Sequence, residues 1–235
     1  MHRFYFPDQL DKEIIMVKDR AMAHQMRDVL KLRRGDKVSF FNDKPEYAGH
    51  DFIGEVKNIE SGLINFMFRE KIENRNESSK KLILYQSLIK KDKFEWVLGK
   101  ATEVGVSEII PVMSARSEKK SVNMERCGVI LKEAAEQSGR AIIPKLHAVF
   151  SFDRAVSHAG SSGAKTYFAS LAEKENMARG AGDRQINLFI GPEGGWEERE
   201  LFAAGRANFE TISLGRLTLR SETAAVTASY ILLWG

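Results

Sequence analysis

A short apolar strand runs into a glycine loop at Ile186-Asn187-Leu188-Phe189-Ile190-Gly191-Pro192-Glu193-Gly194-Gly195, and a helix-like run follows from Glu197. The same order returns where Ile212-Ser213-Leu214 precedes Gly215-Arg216-Leu217-Thr218-Leu219-Arg220-Ser221, with a second helix-like run over residues 222–234. A strand, a glycine loop and a helix in this order place free backbone N–H groups and a positive helix end at the carboxyl edge of a sheet. Open α/β folds bind ligands at that edge, so the two loops predict a pocket that recognises its ligand through backbone atoms.

Neither loop matches a standard nucleotide-binding motif. A P-loop needs Lys and then Ser or Thr after its last glycine, whereas Gly195 is followed by Trp196 and Glu197. The dinucleotide fingerprint G-x-G-x-x-G is absent from both loops. Either loop alone is compatible with a plain turn, because Gly-Pro and Gly-Gly pairs often mark turns. The presence of two such loops favours a ligand pocket.

The sequence upstream of these loops alternates between strand and helix patterns. Leu82-Ile83-Leu84-Tyr85 and Ile109-Ile110-Pro111-Val112 are typical of buried strands, and residues 93–104 between them have a helical pattern. A second helix is predicted over residues 124–137, and a strand at Thr166-Tyr167-Phe168-Ala169. The alternation predicts a parallel-sheet α/β domain.

The first 70 residues differ from the rest of the chain. They contain short strand patterns such as Lys37-Val38-Ser39-Phe40-Phe41 and Asp51-Phe52-Ile53-Gly54-Glu55-Val56, with one helix predicted over residues 21–30. This pattern predicts a small β-barrel. A polar run over residues 73–81 is the expected linker, so we expect one domain at 1–72 and a second at 73–235.

Composition sets outer limits on function. The 235 residues carry 36 Lys and Arg against 32 Asp and Glu, a net charge of +4 that permits an RNA partner without requiring one. Cys127 is the only cysteine, which excludes an internal disulfide and a cysteine-based zinc site, and we expect no metal. The chain has no apolar run of 18 residues and no signal-peptide pattern, so we expect no membrane span and a cytoplasmic location.

Four segments together resemble one family. Gly191-Pro192-Glu193-Gly194-Gly195 looks like its GPEGG loop, and Leu219-Arg220-Ser221-Glu222-Thr223-Ala224 looks like its L-R-x-E-T-A loop. Lys100-Ala101-Thr102-Glu103-Val104-Gly105-Val106 is similar to its K-A-T-E-L-G-V segment, and Glu133-Ala134-Ala135-Glu136-Gln137-Ser138-Gly139-Arg140 to its E-A-x-E-Q-x-x-R helix. The chain thus resembles the RsmE-type family, SPOUT (trefoil-knot) methyltransferases that methylate N3 of a uridine in bacterial small-subunit ribosomal RNA. It departs from the family where Leu217 stands in place of a frequent arginine, and Arg216 directly follows Gly215.

The resemblance implies a fold that the local pattern does not. It implies an N-terminal PUA-like RNA-binding β-barrel and a C-terminal SPOUT α/β domain with a deep trefoil knot, although threaded chains are rare. It also implies a homodimer, 16S rRNA or the small ribosomal subunit as partner, and S-adenosyl-L-methionine (S-adenosylmethionine, SAM) as cofactor. The expected cofactor-binding residues lie in three loops and are Leu171, Ile190, Gly191, Glu193, Gly194, Gly195, Leu214, Gly215, Leu217 and Leu219.

Methylation at uracil N3 requires loss of the N3 proton and stabilisation of the resulting anion. A carboxylate or a water could accept the proton, and a guanidinium could hold the charge on the ring oxygens. Arg220 and Glu222 are the first catalytic candidates, and Glu103 and Arg140 the second. The expected RNA-binding residues are Arg27, Arg33, Arg34, Arg116 and Gln137.

Three other functions stay open from the sequence. The chain could methylate a different RNA, such as tRNA ribose or guanine. It could also be an inactive RNA-binding assembly factor, or a nucleotide-binding enzyme, which the missing P-loop pair disfavours.

Overall fold

The computed structural model describes residues 1–60, 62–173, 175–179 and 182–235. The chain forms two compact units, one of residues 1–77 with 139–142 and the other of residues 78–138 with 143–235. Residues 139–142 join the first unit because the side-chain amides of Asn74 and Asn76 donate to the Gly139 carbonyl at 3.1 and 3.0 Å. The sequence had assigned this segment to the second domain.

The first unit is built on one five-stranded sheet. Its elements are β1 (Arg3–Tyr5), β2 (Ile14–Val17), α1 (Arg20–His24), β3 (Lys37–Phe41), β4 (His50–Glu60) and β5 (Leu63–Glu73). The strand order is β1-β3-β4-β5-β2, with β1 parallel to β3 and the other pairs antiparallel. The predicted helix is confirmed, but α1 continues as a π-helical turn over Gln25–Val29. The expected strands at residues 37–41 and 51–56 are present as β3 and as part of β4.

The second unit contains a seven-stranded sheet in which every pairing is parallel. Its elements are β6 (Lys81–Ser87), α2 (Lys91–Glu103), β7 (Glu108–Met113), α3 (Met124–Ser138), β8 (Lys145–Leu146), β9 (Phe150–Ser151), α4 (Phe152–Ser161), β10 (Lys165–Ala169), β11 (Gln185–Ile190), α5 (Glu198–Arg206), β12 (Glu210–Ile212) and α6 (Ser221–Trp234). The strand order is β12-β10-β11-β6-β7-β8, and β9 also pairs with β7. The expected parallel-sheet α/β pattern is confirmed.

Both faces of this sheet are covered by helices, which explains its nearly continuous apolar strands. Successive side chains point to opposite faces. On one face Leu84 and Leu188 belong to a cluster with residues of α2, α3 and α6. On the other face Tyr85 stacks on Phe189 with ring centroids 4.3 Å apart, in a cluster that includes residues of α4 and α5.

Parallel pairing brings the carboxyl ends of β6, β10, β11 and β12 to one edge of the sheet. Ile190 of β11 pairs with Gln86 of β6, and Ala169 of β10 pairs with Ile212 of β12. β12 ends at Ile212, although a strand through residue 214 was expected. Beyond this point Ser213 turns to the segment after β10, accepting from Ala178 N–H at 2.8 Å and donating to the Asn176 carbonyl at 2.7 Å.

Two negative findings apply to the part of the chain that the structure describes. None of its helices combines the length and apolar character needed to cross a membrane. Within the same ranges, no three His, Cys, Asp or Glu side chains cluster closely enough to hold a metal ion.

Candidate functional site

Three loops leave the carboxyl edge of the second unit's sheet and are joined to one another. We call residues 191–196 the cofactor loop, after the ligand-binding role that the sequence predicts for it. It is preceded in the chain by the loop after β10 and followed by the loop of residues 213–220. Trp196 Nε1 donates to the Ala169 carbonyl at 2.9 Å, which ties the cofactor loop to the end of β10. Ser170 N–H donates to the Ile212 carbonyl at 3.1 Å, which ties the loop after β10 to the end of β12. These contacts therefore lie together at one edge of the sheet.

Glycine is required in the cofactor loop for two different reasons. Gly195 has φ +70°, a left-handed conformation that strains any residue with a Cβ, and the space beside it is open. Gly191 has an ordinary φ, but a Cβ there would lie 3.0 Å from the ring of the buried Trp196. The loop thus combines close packing at its start with backbone strain and open space at its end.

Arg116 contacts the cofactor loop directly. It follows β7, and its Nη1 donates to the Gly194 carbonyl at 2.7 Å while the side chain stays exposed. The sequence had offered Arg116 only as an RNA contact. The same segment is anchored to the helix after the loop, because Ala115 N–H donates to the buried carboxylate of Glu200 at 2.9 Å.

A chain of buried hydrogen bonds links the cofactor loop to the start of α6. Gln86 Nε2 donates to Ser221 Oγ at 3.0 Å, and Ser221 Oγ donates to the Gly191 carbonyl at 2.5 Å. Gln86 is fully buried and Ser221 is 6 % exposed. No sequence motif pointed to Gln86; the available signal was a polar residue at the end of an apolar strand.

The helices α2 and α6 both start at this edge, and their first turns carry side chains of opposite charge that face each other. Glu222, in the first turn of α6, is 7 % exposed, and Lys93 in the first turn of α2 places its Nζ 3.6 Å from Glu222 Oε1. Arg220 is the N-cap residue of α6 and is exposed. Arg220 and Glu222, the first catalytic candidates, therefore lie together at the helix start, and Lys93 is an addition that the sequence did not suggest.

The expected cofactor residues differ in their exposure. Leu171 and Leu217 are 62 % and 81 % exposed, so apolar side chains stand uncovered in two of the three loops. Ile190 is buried as the last residue of β11, and Leu214 packs partly against the core. Leu219 is half-buried, Glu193 is exposed, and Gly215 has φ +118°.

Glu103 and Arg140, the second catalytic candidates, are engaged elsewhere. Glu103 ends α2, ten residues beyond Lys93, which is about 15 Å along the helix at 1.5 Å per residue, and its carboxylate accepts from Lys100 Nζ at 2.7 Å. Arg140 belongs to the first unit, is 4 % exposed, and pairs with Glu77 at 2.8 Å. The described contacts of Glu103 do not bring it beside Glu222.

The RNA-binding candidates are all exposed. Arg27 donates to Asp28 at 2.9 and 2.7 Å, and this hydrogen bonding lowers the pKa of the Asp28 carboxyl to about 2. Arg33 and Arg34 precede β3, and Arg34 lines an open surface pocket of about 380 Å³ together with Lys57 and Arg69. Gln137 is exposed in the last turn of α3.

The chain is similar to known proteins along most of its length. A family model described as an RNA methyltransferase domain matches residues 76–233. The ribosomal RNA small subunit methyltransferase E of Rickettsia conorii is 28 % identical over 235 residues, covering 97 % of this chain and 93 % of that protein. The protein of the same name from Mesomycoplasma hyopneumoniae is 35 % identical over 162 residues, covering 67 % of this chain and 71 % of that protein.

A solved structure agrees with both the sequence match and the fold. The crystal structure of a ribosomal RNA small subunit methyltransferase E from Neisseria gonorrhoeae bound to S-adenosyl methionine superposes with a TM-score of 0.84. It is 27 % identical to this chain, and the match covers 97 % of this chain and 95 % of that one.

Proposed function

The chain belongs to the RNA methyltransferase family of the ribosomal RNA small subunit methyltransferase E proteins, and from this premise we propose that it methylates N3 of one uridine in 16S rRNA. It is a SAM-dependent methyltransferase of small-subunit ribosomal RNA. The position of the methyl group on the base is the new part of the proposal. The observation that carries it is the placement of two groups at the start of α6, directly after the second glycine loop: the buried carboxylate of Glu222 and the exposed cationic side chain of the N-cap residue Arg220.

The three loops have the features needed to hold SAM. The open space beside Gly195 lets a ligand approach the main chain. The exposed side chains of Leu171 and Leu217 can cover the flat face of the adenine of SAM. When bound, SAM supplies a methyl group on a sulfonium sulfur, which leaves as a neutral thioether. We assign the cofactor-binding role to the main chain of Ile190, Gly191, Glu193, Gly194, Gly195 and Gly215 and to the side chains of Leu171, Leu214, Leu217 and Leu219.

The residues at the start of α6 can perform the proton chemistry at uracil N3. Glu222 accepts the N3 proton, and the Arg220 guanidinium stabilises the negative charge that then develops on the ring oxygens. Lys93 holds the Glu222 carboxylate in place from 3.6 Å. We assign no chemical step to Glu103, which lies about 15 Å along α2 from Lys93, or to Arg140, whose buried guanidinium pairs with Glu77.

We assign RNA binding to exposed basic residues of both units. Arg34, with Lys57 and Arg69 around the same surface pocket, presents positive charge on the first unit and suits a phosphate backbone. Arg27, Arg33 and Gln137 are further contacts. We assign Arg116 an RNA contact beside the cofactor loop, since its guanidinium remains exposed while it donates to the Gly194 carbonyl.

The proposal includes the finer fold of each unit. The first unit is PUA-like, with its five-stranded sheet curled into a barrel, and the second unit carries a deep trefoil knot. The strand order β12-β10-β11-β6 supports the knot, because chain order and spatial order differ in this half of the sheet. The packing of α6 against the β6–β11 side of the same core is consistent with threading at the end of the chain.

A homodimer completes the proposal. The exposed face of α6 carries Tyr230 and Trp234, which are 57 % and 49 % exposed, and Trp96 on the neighbouring α2 is 45 % exposed. These three aromatic side chains lie on two packed helices that both start at the catalytic edge. We propose that a second copy of the chain covers them, so that each active site adjoins the interface.

The deciding experiment is methyl transfer from methyl-labelled SAM to small ribosomal subunits that lack the modification. After nuclease digestion and nucleoside chromatography, we expect the label in 3-methyluridine. Label in another nucleoside would keep the cofactor and overturn the N3 assignment, for example in favour of ribose or guanine methylation. SAM binding without transfer to any RNA would favour an inactive RNA-binding assembly factor.

A further inference from the structure

The hydrogen bonds at Gln86 permit only one orientation of its amide. Nε2 donates to both the Ser87 carbonyl and Ser221 Oγ, each at 3.0 Å, so both of its protons are used. The Ser221 hydroxyl proton is itself directed to the Gly191 carbonyl. With the amide reversed, Oε1 would face a carbonyl oxygen and a hydroxyl oxygen whose proton is already donated. The bonds therefore run in one direction, from Gln86 to Ser221 to Gly191.

This arrangement of hydrogen bonds does not give the protein its greatest stability. Gln86 Oε1 is buried and has no hydrogen-bond partner among the described residues, and an unpaired buried acceptor is destabilising. Leu82 and Leu84 of the same strand are buried without such a cost. An apolar side chain at position 86 would avoid the unpaired oxygen, so the amide is explained by what it holds.

The groups that it holds belong to the site. Gly191 opens the cofactor loop, and Ser221 immediately precedes Glu222. We propose that Gln86 and Ser221 are positioning residues that lock the cofactor loop to the first turn of α6 and so align the methyl donor with Glu222. The alignment rests on the proposed function; the lock itself concerns only the protein.

The lock acts together with two other attachments of the same loop. Arg116 holds the Gly194 carbonyl from the exposed side, and Trp196 reaches the end of β10. Neither of these contacts involves α6. Among the contacts that the structure describes, the bond from Ser221 to Gly191 joins the cofactor loop to α6, and Gln86 supports it by donating to Ser221. This bond thus connects the loop that would hold the methyl donor to the helix that carries Glu222.

Four variants separate this role from a general loss of packing. Ser221→Ala and Gln86→Met each break the chain of hydrogen bonds, whereas Ser221→Thr keeps a hydroxyl and should restore it. Ser87→Ala is the matched control, because it removes a buried hydroxyl that has no hydrogen-bond partner within the described ranges. The first readout is hydrogen exchange of the backbone amides of residues 191–196, which requires neither SAM nor RNA.

We expect these amides to exchange about five- to tenfold faster in Ser221→Ala and Gln86→Met, the loss of roughly one buried hydrogen bond. The amides of β11 should be unaffected, and the Ser87→Ala and Ser221→Thr proteins should match the wild type. A fifth protein that combines Ser221→Ala with Gln86→Met should exchange no faster than either single variant, because the two bonds act in series. Unchanged exchange in Ser221→Ala would overturn the lock.

The second readout tests the alignment with calorimetry and steady-state kinetics. Ser221→Ala should weaken SAM binding by about the same five- to tenfold factor and lower kcat, while KM for rRNA stays unchanged. Faster loop exchange with normal kcat and SAM affinity would leave a structural lock and overturn its positioning role. If the wild-type protein fails to bind SAM, the proposed function fails, while the exchange measurement still decides whether the lock exists.

Discussion

At the scale of single residues, Glu222 combines burial with a charge at the start of α6. Replacing it with Gln keeps the shape and removes the ability to accept a proton. Because general base catalysis typically contributes 10²–10⁴-fold, we expect Glu222→Gln to lower kcat by about a hundredfold or more. The affinity for SAM, measured by calorimetry, should remain close to that of the wild type.

Glu103→Gln is the matched control for this prediction. It makes the same chemical change at an exposed carboxylate on the far end of α2, where Lys100 is the partner. Its turnover should equal that of the wild type. Normal turnover in Glu222→Gln would mean that a water takes the proton and that Glu222 is only a first-turn helix residue.

Gly195 supports a second prediction at this scale. Its φ of +70° strains any side chain, so Gly195→Ala should cost about 1–2 kcal/mol of stability and weaken SAM binding. The free energy of unfolding in denaturant and the calorimetric affinity measure the two effects.

Gly128→Ala is the control, and it should change the stability of the protein in the opposite direction. Gly128 is exposed in α3 and has nothing within 4 Å of an added Cβ. Alanine there should stabilise the protein by about 1 kcal/mol, because helix propensity favours it. If Gly195→Ala is equally stabilising, the strained loop conformation is not that of the folded protein in solution.

At the scale of elements, the start of α5 organises the edge that carries the site. Glu197 and Glu200 form a capping box, in which Glu200 also accepts from the backbone of Ala115 after β7. One buried carboxylate therefore serves two backbone donors from different elements. In the same box the Glu197 side chain accepts from the Glu200 backbone, and it thereby takes the place of the Ser or Thr that often caps a helix.

We expect Glu200→Ala to lower the free energy of unfolding by about 2–3 kcal/mol, since hydrogen bonds to charged groups contribute 1.5–3 kcal/mol. Glu198→Ala removes an exposed carboxylate from the same helical turn and should cost only about 0.3–1 kcal/mol. Equal losses in the two variants, measured by denaturant unfolding, would assign the effect to the helix dipole and contradict the role of the buried bonds.

At the scale of the whole molecule, the uncovered aromatic face of α2 and α6 predicts the oligomeric state. Tyr230→Glu introduces a charge among these aromatic side chains and should convert the proposed dimer to a monomer, because burying an unpaired carboxylate is costly. Sedimentation equilibrium measures the mass. Phe202→Glu is the control: this α5 side chain is 68 % exposed and lies outside the proposed interface, so its mass should stay that of the wild type. A monomeric wild-type protein would refute the proposed dimer.

Local sequence was sufficient for most elements, and it led to a candidate site at the carboxyl edge of the sheet. The apolar runs and helical periodicity predicted β6, α2, β7, α3, β10 and β11 to within a few residues, because these patterns reflect burial on one or both faces. The two glycine loops predicted a ligand pocket at the carboxyl edge, since Gly and the strand–loop–helix order are local features. Arg220 and Glu222 were selected for the same reason, as neighbours in one loop.

The tertiary structure alone decided which side chains meet. Gln86 and Ser221 are 135 positions apart, and they touch because β6 lies beside β11 and α6 begins at the same edge. Lys93 reaches Glu222, while Glu103 on the same helix does not, because α2 carries them to opposite ends. Arg140 pairs with Glu77, 63 positions earlier in the chain. Local patterns encode burial and backbone conformation, whereas strand order and helix packing determine which distant hydrogen-bond partners come together.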